Sequence, residues 1–448
     1  MFGCALGRLF QVTVAGGSYQ EGMTTHLQGV PAGLKFTEEE IYSELLLRKP
    51  GQGELASPRK EPDVPVLFSG FNVADTMEGV ATKGLTNGTP LVILIPNMDR
   101  QAIHIEQYRS TNRTPRPGHA SYASFQKYGI YDDAIGAGIF SGRYTCTIVA
   151  AGVVAKRVLA EHGIEVTGYV KEAAGIRAPE ASLAEIRRMA AAYRKVRKEH
   201  DPVYAALFAS GRFKDDMRFL EKCAVLSDFW EILEKTPVKA LDEAAVRAEH
   251  GIHPKLLCPD LAAADAMYEK IIAVKDEGDS TGGLVEVVAT GLPAGMGEPV
   301  FNKLDGELGR LMSIAAVKAV EVGMGMAVKD AKGSEVNDQM YGEGGKVKFR
   351  SNHAGGLTGG LTTGQDLIVR LAVKPTPTIG KPQQTIDKLT NQTTDLAAVT
   401  RRDPTIVARV WPVAEAFVSI ILLDHLMQHL AYEAVLNMPN HPKFGNRK

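Results

Sequence analysis

Ala414-Glu415-Ala416-Phe417-Val418-Ser419-Ile420-Ile421-Leu422-Leu423-Asp424-His425-Leu426-Met427-Gln428-His429-Leu430 carries apolar residues on nearly every side of a helix. A helix on a protein surface shows one apolar stripe, whereas one that is apolar all round is buried. The segment is therefore predicted to lie between two other layers. Its longest unbroken apolar run, Ile420 to Leu423 with its neighbours, is bracketed by Glu415 and Asp424. That is too short to cross a bilayer, and no membrane segment is expected.

Candidates for the flanking layers stand out. Pro90 to Ile95, Leu284 to Ala289 and Leu367 to Val373 read as strands. In the second, Val285, Val287 and Ala289 alternate with Glu286 and Val288, a half-buried strand pattern. Pro259-Asp260 opens a helix in which Leu261, Ala264, Met267, Ile271 and Ile272 share a face, and Gly278 ends it. Residues 176–255 differ, being rich in Ala, Arg, Lys and Glu and poor in Gly. Ser182-Leu183-Ala184-Glu185 has the form of a capping box for a helix through Arg197. Phe219, Leu226, Phe229, Trp230 and Leu233 suggest another helix. The region is predicted to be a helical insertion, a packed decoration or oligomer contact, with an active-site lid as the alternative.

Glycine clusters at 16–22, 136–142, 278–283, 291–297 and 355–364. Such clusters between apolar runs mark tight turns and close backbone approach to a ligand. The last is not a P-loop, because no Gly-Lys-Ser/Thr follows. Val30-Pro31-Ala32-Gly33-Leu34 recurs in type as Leu292-Pro293-Ala294-Gly295-Met296, an echo that suits a pseudo-symmetric core.

Over 448 residues the chain is 44% hydrophobic and 23% charged with a net charge of −1, a globular composition. That balance supplies no general attraction to nucleic acid or anionic membranes. Cys4, Cys146, Cys223 and Cys258 are scattered and lack metal or disulfide-scaffold spacing. Met1 to Phe10 shows no secretory signal, so a reduced cytoplasmic enzyme is expected. His425 and His429 stand i, i+4, but no third ligand is evident and no metal is expected.

A series of motifs runs through the chain in order. It includes Gly7-Arg8-Leu9-Phe10, Pro58-Arg59-Lys60-Glu61-Pro62-Asp63, Arg116-Pro117-Gly118-His119-Ala120, Gly297-Glu298-Pro299-Val300-Phe301, Ser351-Asn352-His353-Ala354-Gly355-Gly356, Lys374-Pro375-Thr376-Pro377-Thr378-Ile379 and Arg401-Arg402-Asp403-Pro404. Together they resemble the chorismate synthase family, over roughly 7–175 and 256–432. The resemblance implies an α+β fold, a β-α-β sandwich with helices packed between two antiparallel sheets, usually a homotetramer. Residues 1–175 and 256–448 would form the core and 176–255 the insertion. It also implies reduced FMN as cofactor, and a flavin reductase as a partner that could supply it. The activity implied is a 1,4-elimination of phosphate from 5-enolpyruvylshikimate 3-phosphate (EPSP), without net redox change.

Position by position, the resemblance makes His119 the histidine that holds the reduced flavin in its productive protonation state. Asp403 becomes the carboxylate working with flavin N5. Ser141, Asn352, His353, Ala354, Gly355, Lys374, Thr376 and Thr378 fall at cofactor positions. Arg48, Arg59, Arg116, Arg143 and Arg409 would hold an anionic substrate. Several positions depart from the family. Tyr19 stands where the family has the histidine that protonates the leaving phosphate, and tyrosine, with a pKa of about 10, is a weaker proton donor at neutral pH. Ile139 replaces an Arg, Phe140 a Ser, Ser121 an Asp, Leu47 an Arg and Tyr144 a Glu, with Thr378 for Ser a mild change. The flavin side survives while the phosphate side becomes more apolar. Two substrates therefore remain open, EPSP or a related shikimate-like anionic cyclohexene acid. Net redox chemistry in the flavin pocket, or a non-catalytic flavin-binding subunit, are the alternatives.

Overall fold

The computed structural model describes residues 3–51, 53–57, 59–99, 102–398 and 402–436. Pro58 and Arg401 of the motifs and the tail 437–448 lie outside the described residues.

Two five-stranded antiparallel sheets form the outer layers. The first runs Ala5–Leu6, Gln11–Gly16, Gly22–Gln28, Leu91–Pro96, Val66–Ser69. The second runs Ile176–Arg177, Glu165–Ala173, Gly283–Thr290, Leu367–Val373, Val317–Val322. Between them lie two helices, Thr145–Glu161 and Val407–Leu436. The first leans on the Gly22–Gln28 and Leu91–Pro96 strands, the second on Glu165–Ala173 and Gly283–Thr290. This is the sandwich expected from the sequence, and the apolar helix is its middle. By length and composition the 30-residue helix could span a membrane, but 94% of its apolar window is buried inside the protein.

The two helices approach unusually closely. A Cβ on Gly152 would sit 2.3 Å from the Ala416 Cβ and 2.6 Å from its Cα. Glycine facing alanine is what permits the contact. At the next layer Gly168 donates its N–H to Glu415 Oε2 at 2.8 Å, tying the long helix to the second sheet.

The short sequence echo marks two turns built alike in the two halves. Gly33 N–H donates to the Thr86 carbonyl at 2.8 Å, and Leu34 N–H to Thr86 Oγ1 at 2.9 Å. In the other half Gly295 N–H donates to the Thr362 carbonyl at 2.8 Å, and Met296 N–H to Thr362 Oγ1 at 2.9 Å. Each hydroxyl in turn donates to the proline carbonyl, Pro31 or Pro293. Numbered by chain order within each sheet, both end in the pairing order third, fifth, fourth, and they differ at the opposite edge, where the first two strands are exchanged.

Region 176–255 is helical, with Leu183–Glu199, Phe219–Ser227, Phe229–Glu234 and Glu243–His250. The predicted capping box forms only by half. Ser182 Oγ accepts from Glu185 N–H at 3.2 Å, but the Glu185 carboxylate turns to Arg188 instead of the Ser182 amide. The region is anchored to the core. Arg194 reaches both carboxylate oxygens of Glu415 at 2.7 and 2.8 Å, and Tyr193 meets the buried Trp411 edge-on.

Gly152→Val should destabilise the protein by about 3 kcal/mol through overpacking of the helix pair, read as a lowered midpoint in urea denaturation. Gly142→Ala, where a Cβ meets open space, should leave the midpoint nearly unchanged.

Candidate active site

The two central helices begin at one edge of the sandwich, and the candidate residues gather there. Ser141 and Arg143 immediately precede Thr145–Glu161, and Asp403 precedes Val407–Leu436. Helix N-termini favour anions, so the backbone itself prepares this edge for negative ligands.

At the centre sits Asp63, wholly buried and held with φ at 57°. Arg48 binds its carboxylate at 2.6 Å, Arg143 binds the other oxygen, and Arg143 Nε also donates to Asn97 Oδ1 at 2.8 Å. Burial alone would raise the Asp63 pKa, but Arg143 and Arg48 outweigh it and hold the carboxyl below the usual carboxylate range. Two of the five predicted substrate arginines are thus already engaged with a buried acid.

Arg59 forms the next wall. It pairs with Glu61 at 3.1 Å, donates to the Ser18 carbonyl at 3.2 Å and lies over the Tyr19 ring with its guanidinium carbon 5.4 Å from the centroid. Tyr108 meets Tyr19 edge-on at 5.4 Å. Gly136, at φ 59°, makes this possible, because a Cβ there would lie 2.4 Å from the Tyr19 ring. Ile139 packs against the apolar core, and Phe140 is 39% exposed near Tyr128.

The segment 374–378 joins the two proton-handling candidates. Lys374 Nζ donates to the Gly118 carbonyl at 2.5 Å, next to His119, while Thr376 Oγ1 donates to the Asp403 carbonyl at 2.7 Å. Asp403 Oδ1 accepts from Arg409 at 2.6 Å and from Ser57 N–H at 2.7 Å. Arg116 donates to Thr378 Oγ1 at 3.4 Å and stands 3.3 Å from His119 Nε2, and His119 Nδ1 accepts from Ser121 N–H at 3.2 Å. Burial first, then Arg116 and Lys374, push the His119 pKa down to about 4. The imidazole is therefore neutral at pH 7.

Among the described residues no carboxylate pairs with Arg116 or Lys374. Ser18 Oγ and the Nε atoms of Arg48, Arg59 and Arg409 are buried without a hydrogen-bond partner among the described residues. Unspent donors at this edge, and cations beside His119 without a carboxylate partner, fit a polyanionic ligand such as a flavin mononucleotide or a phosphorylated acid.

Four predicted cofactor residues do not join this group within one chain. Asn352, His353, Ala354 and Gly355 sit before the strand Leu367–Val373, and Lys374 follows it. Seven strand residues separate the two ends by about 23 Å. In that loop Asn352 bonds the Asp366 carbonyl and the Gly356 amide, and Asp338 accepts from the amides of His353 and Ala354.

The sequence reading missed Asp63, Asn97, Ser57 and the segment Ser313–Ala316. Asp63 lay within a quoted motif, and an acid among so many arginines was a signal. Tyr144 hydroxyl donates to the Ser313 carbonyl at 2.5 Å and accepts from Ala315 N–H at 3.0 Å, and Lys374 N–H donates to the Ala316 carbonyl at 2.9 Å. Nothing in a linear pattern announces those long-range contacts.

The sandwich thus presents a cationic, histidine-bearing edge of the kind that suits anionic ligands. The chorismate synthase family model matches residues 10–427. A chorismate synthase of Methanosarcina acetivorans is 37% identical over 96% of this chain and 97% of its own length. One from Acetivibrio thermocellus is 38% identical over 97% of each. A crystal structure of chorismate synthase superposes with a TM-score of 0.58 at 26% identity, covering 95% of this chain and 94% of that one. The chain belongs to the chorismate synthase family, and it is a carbon–oxygen lyase of that type.

His119 should titrate near pH 4 in carbon-detected NMR of the free protein. Lys374→Ala should move that value upward, because it removes one of the two charges opposing protonation.

Proposed function

We propose that the protein uses reduced FMN to remove phosphate and a proton from EPSP, giving chorismate. The observation that carries this reading is the pair of cations, Arg116 and Lys374, that flank a neutral His119 without an acid of their own. The same short segment anchors Asp403, so anion binding and proton transfer share one scaffold.

The 374–378 segment, with Lys374, Thr376 and Thr378, would hold the FMN phosphate. Reduced flavin supplies electron density to the breaking allylic C–O bond when bound. The chain's own residues do the rest. Neutral His119 offers a ring nitrogen toward the flavin. Asp403, oriented by Arg409 and Ser57 N–H, manages the proton that leaves carbon. Tyr19, braced by Arg59 and Tyr108, donates a hydrogen bond to the departing phosphate. Arg59, Arg116 and Arg409 retain donors for the substrate's phosphate and carboxylates. Arg48 and Arg143 act through Asp63, holding that wall in place.

The four loop residues, Asn352 to Gly355, reach a flavin only if another copy delivers them. A homotetramer would do so, and it is part of this reading. FMN must arrive reduced, which gives a flavin reductase a place as partner.

A second reading is favoured by the Ile139 side chain, which lies half-buried against the apolar core where the resemblance expects an arginine. It keeps the site and changes the substrate to a related shikimate-like acid with a different leaving group.

Anaerobic incubation with chemically reduced FMN and EPSP should yield chorismate and phosphate in equal amounts. Asp403→Asn should lower turnover about 10²–10⁴-fold, the range of a lost acid–base group. Tight FMN binding with no chorismate would overturn the EPSP reading in favour of the second.

A further inference from the structure

A cleft of about 470 Å³ lies on the other side of the segment that builds the arginine wall. One side of it is Lys49, Pro50, Gly51 and Gly53 with Lys60, Glu61 and Pro62, and the other is the helical region together with Lys255. Its volume falls in the range of small-molecule sites. We propose that this cleft binds a monocarboxylate carrying a flat apolar ring.

The apolar half of the argument rests on Val203, Phe229, Trp230, Leu233 and Leu241, which converge on the cleft. Phe229 is fully buried and meets Trp230 edge-on with centroids 5.0 Å apart. Trp230 remains 39% exposed although large and aromatic. Two aromatic rings beside branched aliphatic chains suit a planar apolar group.

The polar half comes from charge. The lining contributes the cations Lys49, Lys60, Arg197 and Lys255 but only the acids Glu61 and Asp201. Both acids are committed, Asp201 to Lys49 and Glu61 to Arg59. Lys255 is balanced by Glu54 and Glu243 from outside the lining. Lys60 is exposed, and its ammonium has no hydrogen-bond or ion-pair partner among the described residues. An apolar slot with one free ammonium at its rim selects a single negative charge on an apolar body. A phosphorylated or dianionic ligand suits the slot poorly, because Lys49 and Lys255 are already paired with acids and Lys60 is the cation at the exposed rim.

The site is distinct from the one described above. Glu61 is the dividing wall, with its carboxylate turned to Arg59 and to the Met98 amide. An occupant would press on the 49–62 segment that carries Ser57 and Arg59 into the catalytic side.

The test is isothermal titration of the full chain with 3-phenylpropanoate and with its neutral twin, 3-phenylpropan-1-ol. Saturable binding of the acid is expected, with the alcohol about tenfold weaker, the loss of one charge-assisted contact. Lys60→Glu should weaken the acid at least as much, and Leu241→Glu should abolish binding of both. Lys374→Ala, on the catalytic side, should leave the affinity unchanged. No saturable binding of the acid would overturn the proposal. Binding that survives both Lys60→Glu and Leu241→Glu would overturn it equally, as would binding lost in Lys374→Ala, which would place the acid among Arg116 and Lys374 instead.

Discussion

The contact between Gly152 and Ala416 is the constraint on which the rest of the arrangement depends. It lets two helices pass nearly backbone to backbone, so each can also press its outer face on a sheet. Helix spacing in proteins is ordinarily about 8–10 Å and is set by the side chains at the crossing. Here the crossing residues have almost none. The consequence reaches the site, because the chain enters both helices at the same edge. Ser141 and Arg143 arrive on one helix and Asp403 and Arg409 on the other. Arg48 connects them, accepting from Arg409 on its carbonyl and binding Asp63 with its guanidinium.

Asp63 then decides which arginines are available. A site with five arginines would repel itself without a counter-charge, and a buried acid clasped by two of them supplies it. Removing one partner of such a buried pair leaves an uncompensated charge, which is far more costly than losing a surface pair. The arrangement divides labour. Arg48 and Arg143 stabilise the wall, while Arg116 and Lys374 stay unmatched and able to attract an anion. Burial first, and then the same unmatched charges, keep His119 neutral, so ligand charge and histidine protonation are coupled. An arriving phosphate would ease protonation of His119 by offsetting Arg116 and Lys374.

Much of this was legible in the sequence because it rests on local pattern. The all-round apolar helix announced a middle layer. The alternation through Val285, Val287 and Ala289 announced a sheet, and the Pro-Ala-Gly echo announced two turns built alike. His119, Asp403 and the Lys374–Thr378 segment could be read from motif positions, and the structure does bring them together. The illegible part is long-range. That Asp63 neutralises Arg48 and Arg143 follows from three segments meeting, and so does the bridge from Tyr144 to Ser313 and Ala315. The capping box failed for a local reason that pattern cannot weigh. Arg188, three residues after Glu185, competes for the same carboxylate and wins. The distance between Asn352 and Lys374 was equally hidden, since only the strand between them shows that one copy cannot join the two.

The departures at Tyr19 and Ile139 can be weighed by their neighbours. A tyrosine placed by drift in a histidine's position needs no special support. Tyr19 has three, the Arg59 guanidinium on its face, Tyr108 at its edge and Gly136 leaving room for its ring. Ile139 is different. It is half-buried against the apolar core, so an apolar contact stands where the resemblance expects an arginine. Its charge must therefore come from elsewhere if the same phosphate is bound. Arg59 lies beside Tyr19 with a buried Nε that has no hydrogen-bond partner among the described residues, which places a spare donor next to the altered residue. The two positions therefore differ in kind, Tyr19 being held by a cation and an aromatic edge and Ile139 by apolar contacts.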